Sequence, residues 1–149
     1  MKVTEIMTQP VISVKSDATL EEVAKMMLDN NIGGLPVVDE DGGLIGMVTE
    51  SDFSAKEHAI PFSRIYAPQL FGKWMSTEGI EKAYEAARTI KVSGIMITPV
   101  ISVNEDDNMA DAVKKMLEYR VHRVPVVRDG KPVGILTRHD LLKMVVKDY

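Results

Sequence analysis

The 149-residue sequence contains no cysteine. Its absence excludes disulfide bonds, thiol nucleophiles, iron–sulfur clusters and zinc sites built on thiolates. The three histidines, His58, His122 and His139, are isolated from one another in the sequence and leave little to hold a metal ion. We therefore predict no metal site and no required cofactor.

Long apolar runs and an excess of positive charge are also missing. No stretch approaches the roughly eighteen apolar residues that a membrane-spanning helix needs. The first residues include an early acid, Glu5, and no apolar segment of the signal-peptide type. These features predict a cytoplasmic protein without a membrane segment. The net charge of −4 disfavours nucleic-acid binding, which depends on a basic surface.

The chain contains two copies of one pattern. Residues 6–14, IMTQPVISV, return as residues 95–103, IMITPVISV, 89 positions later. The segment LPVV at 35–38 returns as VPVV at 124–127, and GMVTESD at 46–52 returns as GILTRHD at 134–140 after a one-residue deletion. We therefore divide the chain into a first repeat (1–54), an insert with a connecting helix (55–91) and a second repeat (92–149).

Each copy alternates between strand-like and helix-like periodicity. A short β-type run is followed by apolar residues at helical spacing, which begin at Leu20 in the first copy, and Thr19 and Asn108 are the predicted N-caps of the two helices. Two further apolar runs around a polar turn then predict a hairpin. A final helix is clearest at Leu141 and Leu142. The predicted unit is β-α-β-β-α, and two such units should pack with pseudo-two-fold symmetry into one α/β (α+β) domain.

The insert differs from both repeats in composition. Together with Phe53, which lies two residues before it, the insert holds most of the aromatic residues of the chain: Phe53, Phe62, Tyr66, Phe71, Trp74 and Tyr84. Two prolines interrupt its first half, which we predict to be irregular, and residues from 77 to about 90 are predicted to be helical. A long segment without regular structure is commonly functional.

The ordered set of motifs, I-M-x-x-P-V, amphipathic helix, L-P-V-V, hairpin and T-x-x-D, occurs twice and resembles a tandem pair of CBS (cystathionine β-synthase) domains, known as a Bateman module. The resemblance covers nearly the whole chain apart from the insert. It implies a non-catalytic regulatory module that binds AMP, ADP, ATP or S-adenosylmethionine in clefts between its two repeats. It also implies a homodimer and a regulated partner protein, which the sequence does not identify.

Each T-x-x-D segment lies where a strand passes into a helix. An ionised aspartate at this position can accept hydrogen bonds from two ribose hydroxyls, while free N–H groups of the helix start face a phosphate. The same residues can also cap the helix, so Asp52 and Asp140 have a purely structural alternative.

Basic residues precede the hairpin of the second repeat only. His122 and Arg123 can neutralise phosphate charge, and because neighbouring strand residues point to opposite faces, we expect one of them in each cleft. The first repeat has Gly33 and Gly34 at these positions, where the backbone can approach a ligand closely. A satisfied surface or core histidine is the alternative for His122.

Residues at the start of each repeat complete the expected sites. The family places side chains there that pack on an adenine ring, although core packing is the alternative, especially for Ile12 and Ile101. By this resemblance one site combines Asp140, Thr137, His139 and His122 with Met7, Thr8, Pro10, Ile12 and Gly33. The other combines Asp52, Thr49, Ser51 and Arg123 with Met96, Thr98, Pro99 and Ile101.

Two other function classes compete with a nucleotide sensor. The chain could instead be an interaction or assembly module that uses the aromatic insert, because aromatic side chains dominate binding hot spots. An enzyme is disfavoured, since no P-loop and no activated nucleophile can be recognised in the sequence.

Overall fold

The computed structural model describes residues 1–59, 66–74 and 79–149. The first repeat forms a three-stranded sheet of β1 (Val14–Lys15), β2 (Gly34–Val38) and β3 (Leu44–Thr49), with helix α1 (Leu20–Asn30) between β1 and β2. Strands β1 and β2 are parallel, and β2 and β3 form the predicted antiparallel hairpin. Strand β2 is buried along its whole length.

The second repeat has the same topology. Its strands are β7 (Val103–Asn104), β8 (Arg123–Arg128) and β9 (Lys131–Thr137), and helix α3 (Met109–Glu118) lies between β7 and β8. Both long helices begin at the predicted caps: Thr19 accepts a hydrogen bond from the N–H of Glu22, and Asn108 accepts one from the N–H of Asp111. The predicted mixed α/β fold class is confirmed.

The final helix of each repeat is shorter than predicted. Residues Glu50–Phe53 and Asp140–Met144 form short 3-10 helices in place of α-helices. Beyond them the apolar residues of the second repeat are exposed, with Val145 at 85% of its full accessibility. A helix depends on packing of its apolar face for most of its stability, and the described residues provide no such packing there.

The two hydrophobic cores exchange their first segments. Val3, Ile6 and Met7, which belong to the first repeat by sequence, are buried with Met109 and Leu136 in the core of the second repeat. Conversely, Val92 is buried with Leu20 in the core of the first repeat. Short antiparallel bridges fix these crossings at Thr8 with Ile135 and at Met47 with Ile97. Each repeat is therefore completed by residues of the other.

The insert is more regular than predicted. It forms a three-stranded antiparallel sheet of β4 (Lys56–Ala59), β5 (Tyr66–Leu70) and β6 (Lys73–Trp74), followed by helix α2 (Ile80–Ala87). The prediction of an irregular first half is wrong in this part. Pro68 lies within β5 and is paired with Glu57 of β4. Strand β6 pairs with β5 only at Gln69 and Leu70, so among the described residues Pro68 has a strand neighbour on one side alone, a position where proline is tolerated.

Part of the aromatic cluster packs inward. The rings of Phe53 and Phe71 meet edge to face with centroids 6.3 Å apart, and those of Phe71 and Tyr84 with centroids 5.7 Å apart. Trp74 is 47% exposed. Phe62 and the side chain of Tyr66 lie outside the described residues. Among the described residues, no helix is both long and apolar enough to span a membrane.

Candidate functional site

Two clefts lie where the repeats meet. The first cleft has a volume of about 460 Å³ and joins Thr8, Pro10 and Ile12 of the first repeat to Thr137 and His139 of the second. The second cleft, of about 340 Å³, joins Pro99 and Ile101 of the second repeat to Thr49 and Ser51 of the first. Both volumes fall within the range of small-molecule sites, roughly 300–1,000 Å³.

The exchange of first segments explains this composition. The bridge between Thr8 and Ile135 lays the start of the first repeat beside strand β9, which ends at Thr137. The bridge between Met47 and Ile97 does the same for the start of the second repeat and strand β3. Each cleft consequently receives its apolar wall from one repeat and its strand-to-helix turn from the other.

The carboxylate of Asp140 lies behind the first cleft and does not line it. Asp140 is 2% exposed, and its two oxygens accept hydrogen bonds from the hydroxyl of Thr8 (2.8 Å) and from the N–H of Thr137 (2.9 Å). The ammonium of Lys143 lies 2.9 Å from the same carboxylate. Burial raises the pKa of Asp140, but these partners outweigh it and leave the pKa below its usual value. In this arrangement the expected contact with ribose is not available.

Asp52 occupies the matching position in the first repeat. Its carboxylate accepts a hydrogen bond from the N–H of Thr49 at 2.8 Å, and it borders a separate polar cavity, not the second cleft. Both aspartates therefore act as caps in this structure, which is the alternative that the T-x-x-D spacing left open. Thr49 and Thr137, in contrast, do line the clefts.

Of the two expected adenine-packing methionines, Met7 is a core residue and Met96 is partly buried against the other core. Met7 is 8% exposed, and a Cβ added to Gly134 would lie 2.4 Å from its sulfur. Met96 covers Gly46 with the same distance of 2.4 Å. The methionines fill the space that these glycines leave, and neither lines a cleft. Thr98 is exposed and also lies outside the cleft walls.

His122 and Arg123 both border both clefts. The expectation of one basic residue per cleft is wrong. The two residues lie at the start of β8, on the midline where the clefts meet, so a side chain there reaches either side. Gly33 and Gly34 of the first repeat line the first cleft opposite them.

Sequence reasoning missed four polar residues of the cleft walls. Asn31 lines the first cleft and Arg120 the second, while Arg138 lines the first and Glu50 borders both. Asn31 and Arg120 are equivalent in the two repeats, and each follows its helix with a positive φ, 50° and 53°. Glu50 and Arg138 are equivalent as well. Aligning the two repeats and listing the equivalent positions at which their residues differ could have found both pairs.

The clefts concentrate positive charge in an acidic chain. Arg138 and His139 belong to the first cleft alone, Arg120 belongs to the second alone, and Arg123 is shared. Glu50 is the acidic residue among the described cleft-lining residues. An anionic group is therefore favoured in either cleft.

Comparison with known proteins identifies similar sequences and structures. The chain is 38% identical over 144 residues to the uncharacterized protein MJ1404 of Methanocaldococcus jannaschii, covering 97% of this chain and 32% of that protein. It thus spans about a third of this curated relative.

Two solved structures share the fold along almost the whole chain. The CBS domain pair of protein MJ0100, in complex with 5′-methylthioadenosine and S-adenosyl-L-methionine, is 29% identical with a TM-score of 0.70 and covers 97% of this chain and 95% of its own. The CBS domain of a CBS domain-containing membrane protein from Sphaerobacter thermophilus is 38% identical with a TM-score of 0.72, covering 97% and 88%.

The family model of the CBS domain matches two segments, residues 3–57 and 92–147. These segments correspond to the two repeats, and the cores and clefts described above are built from them. The resemblance drawn from the motifs is confirmed: the chain belongs to the CBS-domain family and carries a tandem pair of CBS domains.

Proposed function

We propose that the chain is a non-catalytic regulatory module that binds adenosine-containing ligands in its two clefts. The observation that carries this proposal is that each cleft joins an apolar wall from one repeat to a hydroxyl-bearing turn from the other, and that cationic side chains of the second repeat line both clefts. The related pair of MJ0100 binds 5′-methylthioadenosine and S-adenosyl-L-methionine, both adenosine derivatives, which supports this ligand class.

The first cleft suits a nucleoside monophosphate. Pro10 and Ile12 offer an aliphatic surface on which a flat base gains burial and dispersion energy. Thr137, Arg138 and His139 line the same cleft, and we assign the hydroxyl of Thr137 to the sugar and the two basic side chains to a phosphate. AMP is therefore our preferred ligand, with ADP, ATP and S-adenosylmethionine as the alternatives that a titration compares.

The proposed role of Asp140 in binding ribose requires a rearrangement. The carboxylate would have to release the hydroxyl of Thr8 or the N–H of Thr137, both of which it holds in this structure. A positioning role needs no rearrangement, because Thr8 and Thr137 themselves line the cleft. The same holds for the proposed binding of ribose by Asp52 in the second cleft, because its carboxylate holds the N–H of Thr49 and does not line that cleft.

Ligand binding would regulate through the two repeats together. A ligand that contacts both sides of a cleft favours the arrangement in which the repeats are close, and a partner protein that distinguishes the arrangements would respond. The regulated partner, a homodimeric state and a cytoplasmic location stay predictions. Sedimentation of the purified chain with and without AMP tests the dimer.

Calorimetric titration with AMP, ADP, ATP, S-adenosylmethionine and adenosine tests the proposed function. Methyl NMR of Ile12 and Ile101 reports occupancy of the first and second clefts separately, because each side chain borders one cleft alone. We expect both methyl signals to shift with AMP. The proposal is wrong if none of these compounds produces heat or a signal change.

A matched pair of variants assigns the phosphate contacts. Arg138→Gln removes one charge from the first cleft, and Arg120→Gln removes one from the second; both side chains are exposed, so neither change should affect folding. Each should weaken AMP in its own cleft by about tenfold, the effect of one lost hydrogen bond to a charged group. Adenosine, which has no phosphate, should bind both variants as it binds the wild type.

A further inference from the structure

Arg123 lies on the midline between the two clefts and crosses from one repeat to the other. It opens strand β8 in the second repeat, and its side chain lies over Gly33 and Gly34 of the first. A Cβ added to Gly33 would lie 2.8 Å from its Nη2 and 2.9 Å from its Nη1. A Cβ on Gly34 would lie 2.9 Å from its Cδ. The two glycines thus leave the space that the guanidinium occupies.

The guanidinium has donors to spare. It is partly buried, and within the described part of the chain it makes neither a hydrogen bond nor an ion pair. Burial lowers the pKa of Arg123, Glu50 acts against this, and the nearby charge of Arg138 adds to it. A guanidinium carries five N–H donors, and a partly desolvated guanidinium whose donors lack acceptors is costly until an anion arrives.

Both clefts offer such an anion the same group. Arg123 borders the first cleft together with Arg138, and the second cleft together with Arg120. A phosphate held by a bidentate pair of N–H groups fixes the plane of the guanidinium. A second phosphate in the other cleft then meets a cation whose charge is already neutralised, and it also meets the repulsion of the first phosphate.

We propose that Arg123 is a single anion-binding group shared by the two clefts, and that it makes them bind phosphate-bearing ligands with negative coupling. The inference rests on the proposed function, since it concerns ligands in the same clefts. Uncharged adenosine does not engage the guanidinium in this way, so it binds the two clefts independently. Coupling between sites is typically about 5- to 150-fold in affinity, and we expect at least about fivefold here for AMP.

Titrations of the full chain with AMP and with adenosine test the inference, each followed by calorimetry and by the methyl signals of Ile12 and Ile101. In the wild type, AMP should fill one cleft first and the other at least about fivefold more weakly, whereas adenosine should show no such dependence. In Arg123→Gln the two affinities for AMP should converge. Should wild-type AMP binding stop at one site, Arg123→Gln should reveal the second.

Two further variants separate coupling from simple loss of charge. Arg120→Gln also removes one cation, but from one cleft, so it should weaken AMP there while filling of the first cleft still weakens the second. Gly33→Ala keeps every charge, but its methyl group displaces the end of the flexible Arg123 side chain. Coupling should therefore fall in Gly33→Ala as it does in Arg123→Gln.

The outcomes distinguish this inference from the proposed function. Equal and independent AMP binding to both clefts of the wild type would overturn the shared role of Arg123 and leave the proposed function intact. The shared role would also be overturned if Arg123→Gln kept the wild-type ratio between the two AMP affinities. The same holds if the wild type bound AMP at one site and Arg123→Gln revealed no second site. No binding of AMP, ADP, ATP, S-adenosylmethionine or adenosine would overturn both.

Discussion

At the scale of single residues, Asp140 decides how firmly the first cleft is held. Its buried carboxylate contacts the turn at Thr137, the ammonium of Lys143 and Thr8. Thr8 belongs to the crossing segment, our name for the start of one repeat that packs on the other repeat. Lys143 also donates to the carbonyl of Ile6 at 3.0 Å, which ties the same crossing segment a second time. Two stretches that are distant in sequence, residues 6–8 and 137–143, therefore meet at one negative charge.

Replacement of Asp140 by asparagine should destabilise the chain in a pH-dependent way. At pH 7, Asp140→Asn should lower the free energy of unfolding by about 2 kcal/mol or more, because it leaves Lys143 without its buried partner. The folded-state pKa of Asp140 is lowered, so the carboxylate stabilises the fold above the unfolded-state pKa of about 3.9, and this stabilisation is lost as the pH falls through the folded-state pKa. The gap between wild type and variant should begin to shrink below about pH 4.

Urea unfolding between pH 7 and pH 3 measures this difference. Asp106→Asn is the control, since Asp106 is an exposed residue whose pairing with Lys2 spans 3.7 Å, and its effect should be much smaller. A gap that stays constant down to pH 3 would mean that the charge of Asp140 contributes nothing and that the variant acts through shape alone.

At the scale of elements, two glycines set how closely each crossing segment approaches its sheet. Gly134 in β9 and Gly46 in β3 are each covered by a methionine of the opposite first segment, Met7 and Met96. Gly134→Ala would bring a methyl group to 2.4 Å from the Met7 sulfur, so the segment must shift. We expect a loss of about 1–3 kcal/mol in thermal or urea unfolding, the usual range for overpacking.

Gly94→Ala is the matched control for this prediction. Its added Cβ would have Ile90 as its nearest neighbour at 3.8 Å, an ordinary van der Waals contact. The change should be near neutral or slightly stabilising, because alanine restricts the unfolded chain more than glycine does. Equal losses in the two variants would show that the methionine contact has no particular role.

Local patterns predicted the elements that depend on local signals. The caps at Thr19 and Asn108, the buried strand β2 and the hairpins are all features of short stretches of sequence. The final helices failed because an apolar spacing alone does not supply the surface that a helix packs on. The sheet of the insert was missed because we took its prolines as breaks in regular structure. A strand tolerates a proline where it has a neighbouring strand on one side alone, as β5 does at Pro68 in the described part of the chain.

At the scale of the whole molecule, the site could be predicted in outline from the repeat and the family resemblance. Which repeat supplies which wall depends on how the segments cross, and the resemblance supplied that pairing. The methionines and aspartates could not be placed, since a residue behind a cleft and one lining it have the same spacing in sequence. Met7 covers Gly134 and Asp140 caps Thr137, and both contacts are set by tertiary packing.

The exchanged segments predict that the two repeats unfold as one unit. Met7 is part of the first repeat by sequence, yet it is buried in the core of the second with Met109 and Leu136. Met7→Ala should therefore lower the free energy of unfolding by about 2–5 kcal/mol, the range for truncating a buried methionine. Hydrogen exchange should show the same loss in α1 and α3, although the cavity adjoins α3 alone.

Leu28→Ala on the exposed face of α1, where the leucine is 80% accessible, should change neither helix appreciably. A loss of protection confined to α3 would mean that the repeats are separate folding units and that burial of the first segment in the second core does not couple their unfolding.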